Sequence, residues 1–425
     1  MRIEELYQLF LQHSSIQTDT RKLKEGDLFF ALRGDNFNGN QFALQALENG
    51  AAYAIVDEEI ITADNRIILV DDVLNTLQQL AKYHRQQFNI PFLAITGSNG
   101  KTTTKELVHA VLSSHFKTYT TEGNLNNHIG IPLTLLKVKA DAEIAVIEMG
   151  ANHQKEIEGY CKYALPTHGL INNVGKAHLE GFGGIEGVKK GKGELYDFIR
   201  ETNGTIFINT DFDYLIEMSS GIADKVSYGT HDASTTGNLI SSEPFLIVNI
   251  MNQPDIGEIK TQLVGDYNLP NVLAAVCVGL HFAVPADKIK TAIENYTPSN
   301  SRSQLIQSGT NKIILDAYNA NPSSMQLAIE NFAKLPANKK VLMLGAMAEL
   351  GEASLDEHQN IIDLIKKFNW HKVVLVGGDF NKISHPFENF KTSAEARNWY
   401  KDQQLTKTHL LIKGSRSMRM EEILS

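Results

Sequence analysis

An α/β fold in three consecutive domains is what this sequence predicts: a small N-terminal α/β domain over 1–88, a central P-loop mononucleotide-binding domain with a parallel sheet over 89–298, and a C-terminal Rossmann-like α/β domain over 299–425. Three observations predict it. The chain has 425 residues, more than one hydrophobic core usually organises. Apolar strand candidates alternate with helical stretches from residue 92 and again from residue 312, as parallel sheets covered by helices require. Pro91 and the polar, turn-rich stretch that begins at Pro298 interrupt that alternation and mark two boundaries.

In the first unit, MRIEELYQLFLQ is amphipathic, and DLFFAL (27–32) and AYAIVD (52–57) are short strands. Between them FALQALENG reads as a helix stopped by Gly50, a residue that accepts the left-handed backbone of a C-terminal cap. A second helical run, NTLQQLAKYHRQQF (75–88), leads to Pro91. The central unit then sets out buried strands at FLAIT (92–96), EIAVIEMG (143–150), THGLINNVG (167–175) and GTIFINTD (204–211), an alternating strand pattern over 237–263, and a helix over 268–283. The last unit repeats the alternation with KIILDAY (312–318), KVLMLGA (340–346), KVVLVGG (372–378) and HLLIKGS (409–415).

The formal net charge of -9, from 40 basic and 49 acidic residues, argues against a general nucleic-acid or anionic-membrane binder, so an anionic ligand must meet local positive charge. No stretch approaches the ~20 apolar residues of a membrane span, and the two cysteines, Cys161 and Cys277, show no metal or redox spacing. A cytoplasmic protein without membrane insertion or a nucleic-acid partner is the expectation.

The sequence ITGSNGKTTTKE (95–106) carries the chemistry. FLAIT supplies a buried strand, Gly97-Ser98-Asn99-Gly100-Lys101 a tight turn, and Thr102, Thr103 and the residues after them an amphipathic helix. The first-turn N–H groups of such a helix lack intrahelical partners and its dipole favours an anion, which makes a phosphate site. Lys101 would neutralise the β- and γ-phosphates and the Thr102 hydroxyl would reach Mg²⁺. The loop is nevertheless short, because Ile95 occupies the position of the first glycine in the usual G-x-x-x-x-G-K-[ST] pattern. Glu148 ends an apolar strand, where ligands gather in open α/β sheets, and His178 follows another strand among glycines. With Thr102 they make a mostly oxygen-based Mg²⁺ site, although a solvent-facing strand-end acid and a hydrogen-bonded loop histidine are the plainer alternatives. Composition gives no reason to prefer Lys192, in GVKKGKGELYDF, over its neighbouring lysines.

The blocks TGSNGKTTTKE, TEGNLNNHIGIPLTLL, EMGANHQKEI, NNVGKAHLEGFGG, KGKGELY, GDYNLPNVLAA, DAYNANPSSM, MAELGE and LIKGSRSM, in this order, resemble the Mur ligase family. That family uses the shortened T-G-x-x-G-K-T loop. The resemblance implies three domains and formation of an amide bond at the expense of ATP through an acyl phosphate. DAYNANP is similar to the members that join D-Ala-D-Ala to UDP-N-acetylmuramoyl-tripeptide, rather than to those that add one amino acid.

Residue by residue, the resemblance implies two Mg²⁺ ions held by Thr102, Glu148, His178 and a carbamylated Lys192. It assigns adenine contacts to Asn268 and Asn271, an ATP-phosphate contact across the domain boundary to Arg302, and the ribose to Asp316, with Tyr318, Asn319 and Asn321 in the adjacent loop. Asp19, Thr20 and Arg21 match the nucleotide-sugar site. Asn124, Asn126 and Asn127 suit the muramoyl-peptide, since amides both donate and accept. Lys413, Ser415 and Arg416 form a small basic loop suited to an anion such as the carboxylate of the incoming dipeptide. A monomer is expected. The chain departs from the family pattern at Asn38 and Asn40, at Gly191 and Gly193 where alanine is common, at Tyr267 and Ser301, and at Ala346, which replaces an acid.

Overall fold

The inner strands of the sheets form where the sequence runs apolar. The computed structural model describes residues 1–13, 15–61, 64–299 and 301–425, so Asn300, inside the polar stretch at the second boundary, lies outside the described residues. The N-terminal sheet sets Ile16–Gln17, Leu28–Phe30, Tyr53–Val56 and Ile67–Leu69 side by side, all parallel. The last sheet has six strands in the order Gln304–Ser308, Asn311–Asp316, His409–Lys413, Lys340–Gly345, Lys372–Val376 and Glu388–Phe390, parallel except at the first.

Nine strands form the central sheet. Phe92–Thr96 is buried at all its positions and lies between Ile144–Glu148 on one side and His168–Ile171 on the other. The chain therefore reverses its direction of winding at this strand, and the crevice beyond its C-terminal end is where open α/β sheets bind ligands. Thr118–Thr120 closes the edge beside Ile144–Glu148. Thr205–Asn209, Asp224–Gly229 and Thr235–Ser241 extend the parallel part beyond His168–Ile171, and Ile247–Ile250 and Glu258–Lys260 pair antiparallel beyond Thr235–Ser241 at the far edge. Alternation in that region reflects an edge with one wet face; the inner strands Phe92–Thr96, Ile144–Glu148, His168–Ile171 and Thr205–Asn209, covered on both faces, are buried almost throughout.

Helices Lys101–Ser113 and Leu269–His281 pack together on one face of the central sheet, and Glu156–Ala164 and Ile185–Thr202 on the other. The boundary near Pro91 is a bend in the chain and not a break in packing. Helix Val73–Arg85 packs on Ile3–His13 and also on Glu156–Ala164, so one apolar cluster runs from Leu6, Phe10 and Leu77 to Ala145 and Ile157. Arg85 fastens this junction by donating to the carbonyls of Ala164 and Leu165 at 3.1 and 3.0 Å, with its guanidinium 3.7 Å from the centre of the Phe92 ring. Both cysteines are buried and free, and among the described residues no helix is long and apolar enough to cross a membrane.

The two unusual glycines of helix Ile185–Thr202 differ in kind. A Cβ on Gly191 would lie 2.4 Å from the Phe182 ring, whereas one on Gly193 would meet nothing nearer than Met218 at 3.4 Å. Glycine at 191 is thus the room that Phe182 occupies. We expect Gly193→Ala to stabilise the protein by up to about 1 kcal/mol through helix propensity, and Gly191→Ala to destabilise it by about 1–3 kcal/mol through overpacking. Urea unfolding of the two variants checks the opposite signs.

Candidate active site

The loop after Phe92–Thr96 is set by close approach of backbone to side chain. Gly97 and Gly100 both have positive φ, 144° and 79°, and a Cβ at either would press on Asn172 or Asn271 at 2.9 and 2.7 Å. Only glycine allows the turn to sit there. Beneath it runs a buried amide and hydroxyl network. Asn172 Nδ2 donates to Thr104 Oγ1 at 2.6 Å and to Asn271 Oδ1 at 3.2 Å, and Thr104 Oγ1 donates to Asn271 Oδ1 at 3.0 Å. Asn271 Nδ2 donates to Asn268 Oδ1 at 2.8 Å, and Asn268 Nδ2 to the Val264 carbonyl at 2.9 Å. Asn173 holds Asn99 by two hydrogen bonds, and the Ser98 hydroxyl lies 3.0 Å from the Gly175 carbonyl.

Asn268 and Asn271, expected to contact adenine, do line the cleft, but their amides also brace the loop. Asn172 and Asn173 were missed from the sequence; the paired amides directly after a buried strand were the available signal. We expect Asn271→Leu to cost about 1–3 kcal/mol of stability in nucleotide-free protein by stranding its buried partners. A side chain that served the nucleotide alone would leave nucleotide-free unfolding unchanged.

Glu148 is 1% exposed. Its Oε1 accepts from Thr102 Oγ1 at 3.1 Å and from Asn126 Nδ2 at 2.8 Å, while its Oε2 is buried without a hydrogen-bond partner. The buried Lys105, which the sequence reading passed over, donates to the Thr121 carbonyl at 2.8 Å, and the Thr121 hydroxyl accepts from the Glu148 backbone N–H at 3.0 Å. An orphaned carboxylate oxygen beside a hydroxyl suits a hard cation with oxygen ligands. Lys101 is folded back onto its own loop, 2.7 Å from the Gly97 carbonyl and 3.4 Å from that of Ser98. Burial pushes its pKa below the ordinary lysine value; Glu148 opposes that shift and Arg302 adds to it, so Arg302 acts on the loop from the far side of the cleft. Asn127 caps the turn before helix Gly130–Leu135 by accepting from Ile129 and Gly130 N–H.

Lys192 is 1% exposed and does not line the cleft. Its Nζ donates to the Ala151 carbonyl at 3.1 Å and lies 5.0 Å from the centre of the Phe182 ring. Burial, reinforced by the charge of Lys101, holds this amine well below the usual lysine range, and Glu156 and Glu194 offset only part of the shift.

The opposite wall comes from the C-terminal sheet. Asp316 and Lys413 are paired residues at the ends of neighbouring strands and form a 2.6 Å ion pair. Asp316 also accepts from the Ser303 N–H at 3.1 Å, and Lys413 donates to the Asn319 carbonyl at 3.2 Å. Lys413, expected to meet an anion, is 3% exposed at its side chain and is already paired with Asp316. Ser415 donates to the Ala346 carbonyl at 2.6 Å, and Arg416 pairs with Glu421 at 2.6 Å. The Arg302 guanidinium stacks 3.7 Å from the centre of the Tyr318 ring. Asn321 caps helix Pro322–Lys334 and reaches across to Asn99 Oδ1 at 2.8 Å. His178, in a left-handed conformation, meets Glu349 of the C-terminal unit.

Together these walls enclose a cleft of about 1130 Å³. Ser98 to Thr103, Asn124, Asn126, Asn127, Glu148, His178, Asn268, Asn271, Arg302, Asp316, Tyr318, Asn319, Asn321, Lys413, Ser415 and Arg416 all line it. Gly97 and Lys192 stand behind the lining. Asp19, Thr20 and Arg21 lie outside it: Asp19 caps a short helical turn, and Arg21 folds back on it with a 2.8 Å ion pair. No group of three or more His, Cys, Asp or Glu side chains converges on one point among the described residues.

Models of three families match in sequence: the Mur ligase family catalytic domain over 13–85, the Mur ligase middle domain over 95–279, and the Mur ligase glutamate ligase domain over 301–416. The chain belongs to the Mur ligase family. Among Mur ligases, the UDP-N-acetylmuramoyl-tripeptide–D-alanyl-D-alanine ligase of Bacillus subtilis is 34% identical over 96% of this chain and 92% of that protein. Its Escherichia coli counterpart of the same name is 35% identical, with the same coverage of 96% and 92%. The crystal structure of MurF ligase from Thermotoga maritima in complex with ADP superposes with a TM-score of 0.87 at 27% identity, covering 97% of each chain.

Proposed function

We propose that this Mur ligase joins D-Ala-D-Ala to UDP-N-acetylmuramoyl-tripeptide, consuming ATP and releasing ADP and phosphate, in the synthesis of peptidoglycan precursors. The observation that carries the reading is near-complete alignment with relatives of that activity, on a chain whose phosphate loop and C-terminal acid face one another across a single cleft. The three units, 1–88, 89–298 and 299–425, would serve the nucleotide-sugar, the triphosphate and the closing of the cleft respectively. The site works in the cytoplasm, where ATP and nucleotide-activated sugars are made, and the protein acts as a monomer.

In the first step a carboxylate oxygen of the peptide bonds to the γ-phosphorus and the bond from that phosphorus to ADP breaks. Two anions must meet for this, so positive charge has to be placed in advance. Lys101 leaves its loop carbonyls for the β- and γ-phosphates, the N–H groups at the head of helix Lys101–Ser113 receive phosphate oxygens, and Arg302 approaches from the other wall. Asp316, oriented by Lys413, accepts from the ribose hydroxyls. In the second step the dipeptide amine attacks the acyl carbon, phosphate leaves, and the amine proton passes to solvent or a base.

Mg²⁺, when bound, would neutralise phosphate charge; Thr102 would reach one ion, and Glu148 with His178 and a carbamylated Lys192 would hold a second. The buried amine of Lys192, held well below the usual lysine range by burial, supports the carbamate, because a neutral amine adds CO₂ and releases a proton to become an anionic oxygen donor.

The test is ADP release with UDP-N-acetylmuramoyl-tripeptide and either D-Ala-D-Ala or single amino acids. Turnover with the dipeptide alone is expected; turnover with a single amino acid and none with the dipeptide overturns the reading.

A further inference from the structure

The glutamate of the block MAELGE reaches the cleft beside His178. Glu349 Oε2 lies 2.5 Å from His178 Nδ1, and both side chains line the cavity. The pair spans the central and C-terminal units. The Glu349 carbonyl also accepts from the Glu180 N–H at 3.3 Å, so the contact has a backbone tie beside it. Lys176 strengthens the same seam, with its N–H 3.0 Å from Ser323 Oγ and its ammonium 2.5 Å from Glu357.

Two features separate this pair from an ordinary surface contact. His178 and Glu349 both have left-handed backbones, φ 52° and 60°, which non-glycine residues adopt at a cost and which cluster at functional sites. In addition, the Nδ1 contact lacks the alignment of a full hydrogen bond, as in many ligand-free sites that tighten on binding. The two left-handed backbones thus set the groups at contact distance.

We propose that Glu349 is a positioning residue: when the C-terminal unit docks, its carboxylate takes the Nδ1 proton of His178 in a hydrogen bond and leaves Nε2 as the lone-pair nitrogen presented to the cleft. A carboxylate behind a histidine fixes tautomer and ring orientation and makes the other nitrogen a better donor. Domain docking and readiness of His178 then become one event, because the orienting group arrives with the second unit. This inference rests on the reading that His178 serves the reacting end of the cleft.

The test uses full-length protein with ¹⁵N-labelled histidine and ADP, the His178 signals being assigned with His178→Asn. Asparagine tolerates the left-handed backbone at 178 and glycine tolerates it at 349, so His178→Asn and Glu349→Gly spare the fold. Wild type is expected to hold His178 as the Nδ1–H tautomer, and Glu349→Gly to shift it toward Nε2–H. The kcat of Glu349→Gly should fall roughly 10- to 100-fold while the KM for ATP moves less than about 3-fold, the size of effect seen for partners behind a ligating histidine. Glu349→Gln, which keeps an acceptor, should restore the tautomer and most of the rate. An unchanged tautomer in Glu349→Gly overturns the proposal, even if activity falls. If His178→Asn itself retains full kcat, the underlying reading of His178 fails instead.

Discussion

Lys101→Ala is expected to lower the rate of amide synthesis by roughly 10³-fold while leaving the fold intact. One unit charge about 4 Å from another, at the effective dielectric of a protein surface, is worth about 4 kcal/mol, and 1.36 kcal/mol is a factor of ten in rate. The loop has no second lysine to take over, since Arg302 stands on the far wall and Lys105 is committed to the Thr121 carbonyl. Lys101→Arg should rescue little: a planar guanidinium fork does not replace a compact ammonium on a loop packed against Asn172 and Asn271. Thermal unfolding of the nucleotide-free variant should match or exceed wild type, because a cation with depressed pKa has been removed. ADP release measured beside thermal unfolding decides the matter, and a rate within about 10-fold of wild type would remove the phosphate loop from the mechanism.

Depleting CO₂ is expected to slow the enzyme, with bicarbonate restoring it, whereas Lys192→Met should be inactive at any CO₂ level. The amine is almost fully buried, and that burial, together with the charge of Lys101, outweighs the Ala151 carbonyl and the Phe182 ring face, which both favour the ammonium. Its folded pKa lies below the unfolded one, so between the two values the unfolded chain binds more protons and stability rises with pH. Below that window the full cost of burying the ammonium is present; above it the cost is gone. In CO₂-free buffer at neutral pH, Lys192→Met should therefore be more stable than wild type by about 1–4 kcal/mol, and the gain should shrink as the pH rises. A ¹³C carbamate signal in wild type, absent from Lys192→Met, provides the direct measurement. Equal activity with and without CO₂ would leave Lys192 a buried structural lysine.

Legibility from sequence followed locality. The strand at FLAIT, the helix after Gly100 and the acids ending IAVIE and KIILD were readable because each is a short apolar run or a turn with its own residue preferences, and all appear in the structure within a few residues of expectation. The edge strands Thr118–Thr120 and Glu388–Phe390 were not legible, since three residues carry no periodicity and their pairing comes from a distant neighbour. Lys413 looked like a free cation in its own loop. Only strand pairing across 97 residues puts Asp316 against it. Asn172 and Glu349 escaped notice for the same reason: an amide or a carboxylate has meaning as a brace only once its partner is known.

By itself, then, the sequence determined the order of α/β units, the glycine loop after Phe92–Thr96 and the acids at the strand ends, because local periodicity, glycine turns and strand-end placement are properties of neighbouring residues. The tertiary structure decided which polar groups are spent on one another and which remain for a ligand. That choice left one Glu148 oxygen unpaired, closed Lys413 onto Asp316, buried the Lys192 amine and brought Glu349 to His178. The physical reason is that charge, desolvation and hydrogen bonding act between atoms close in space, wherever they lie along the chain.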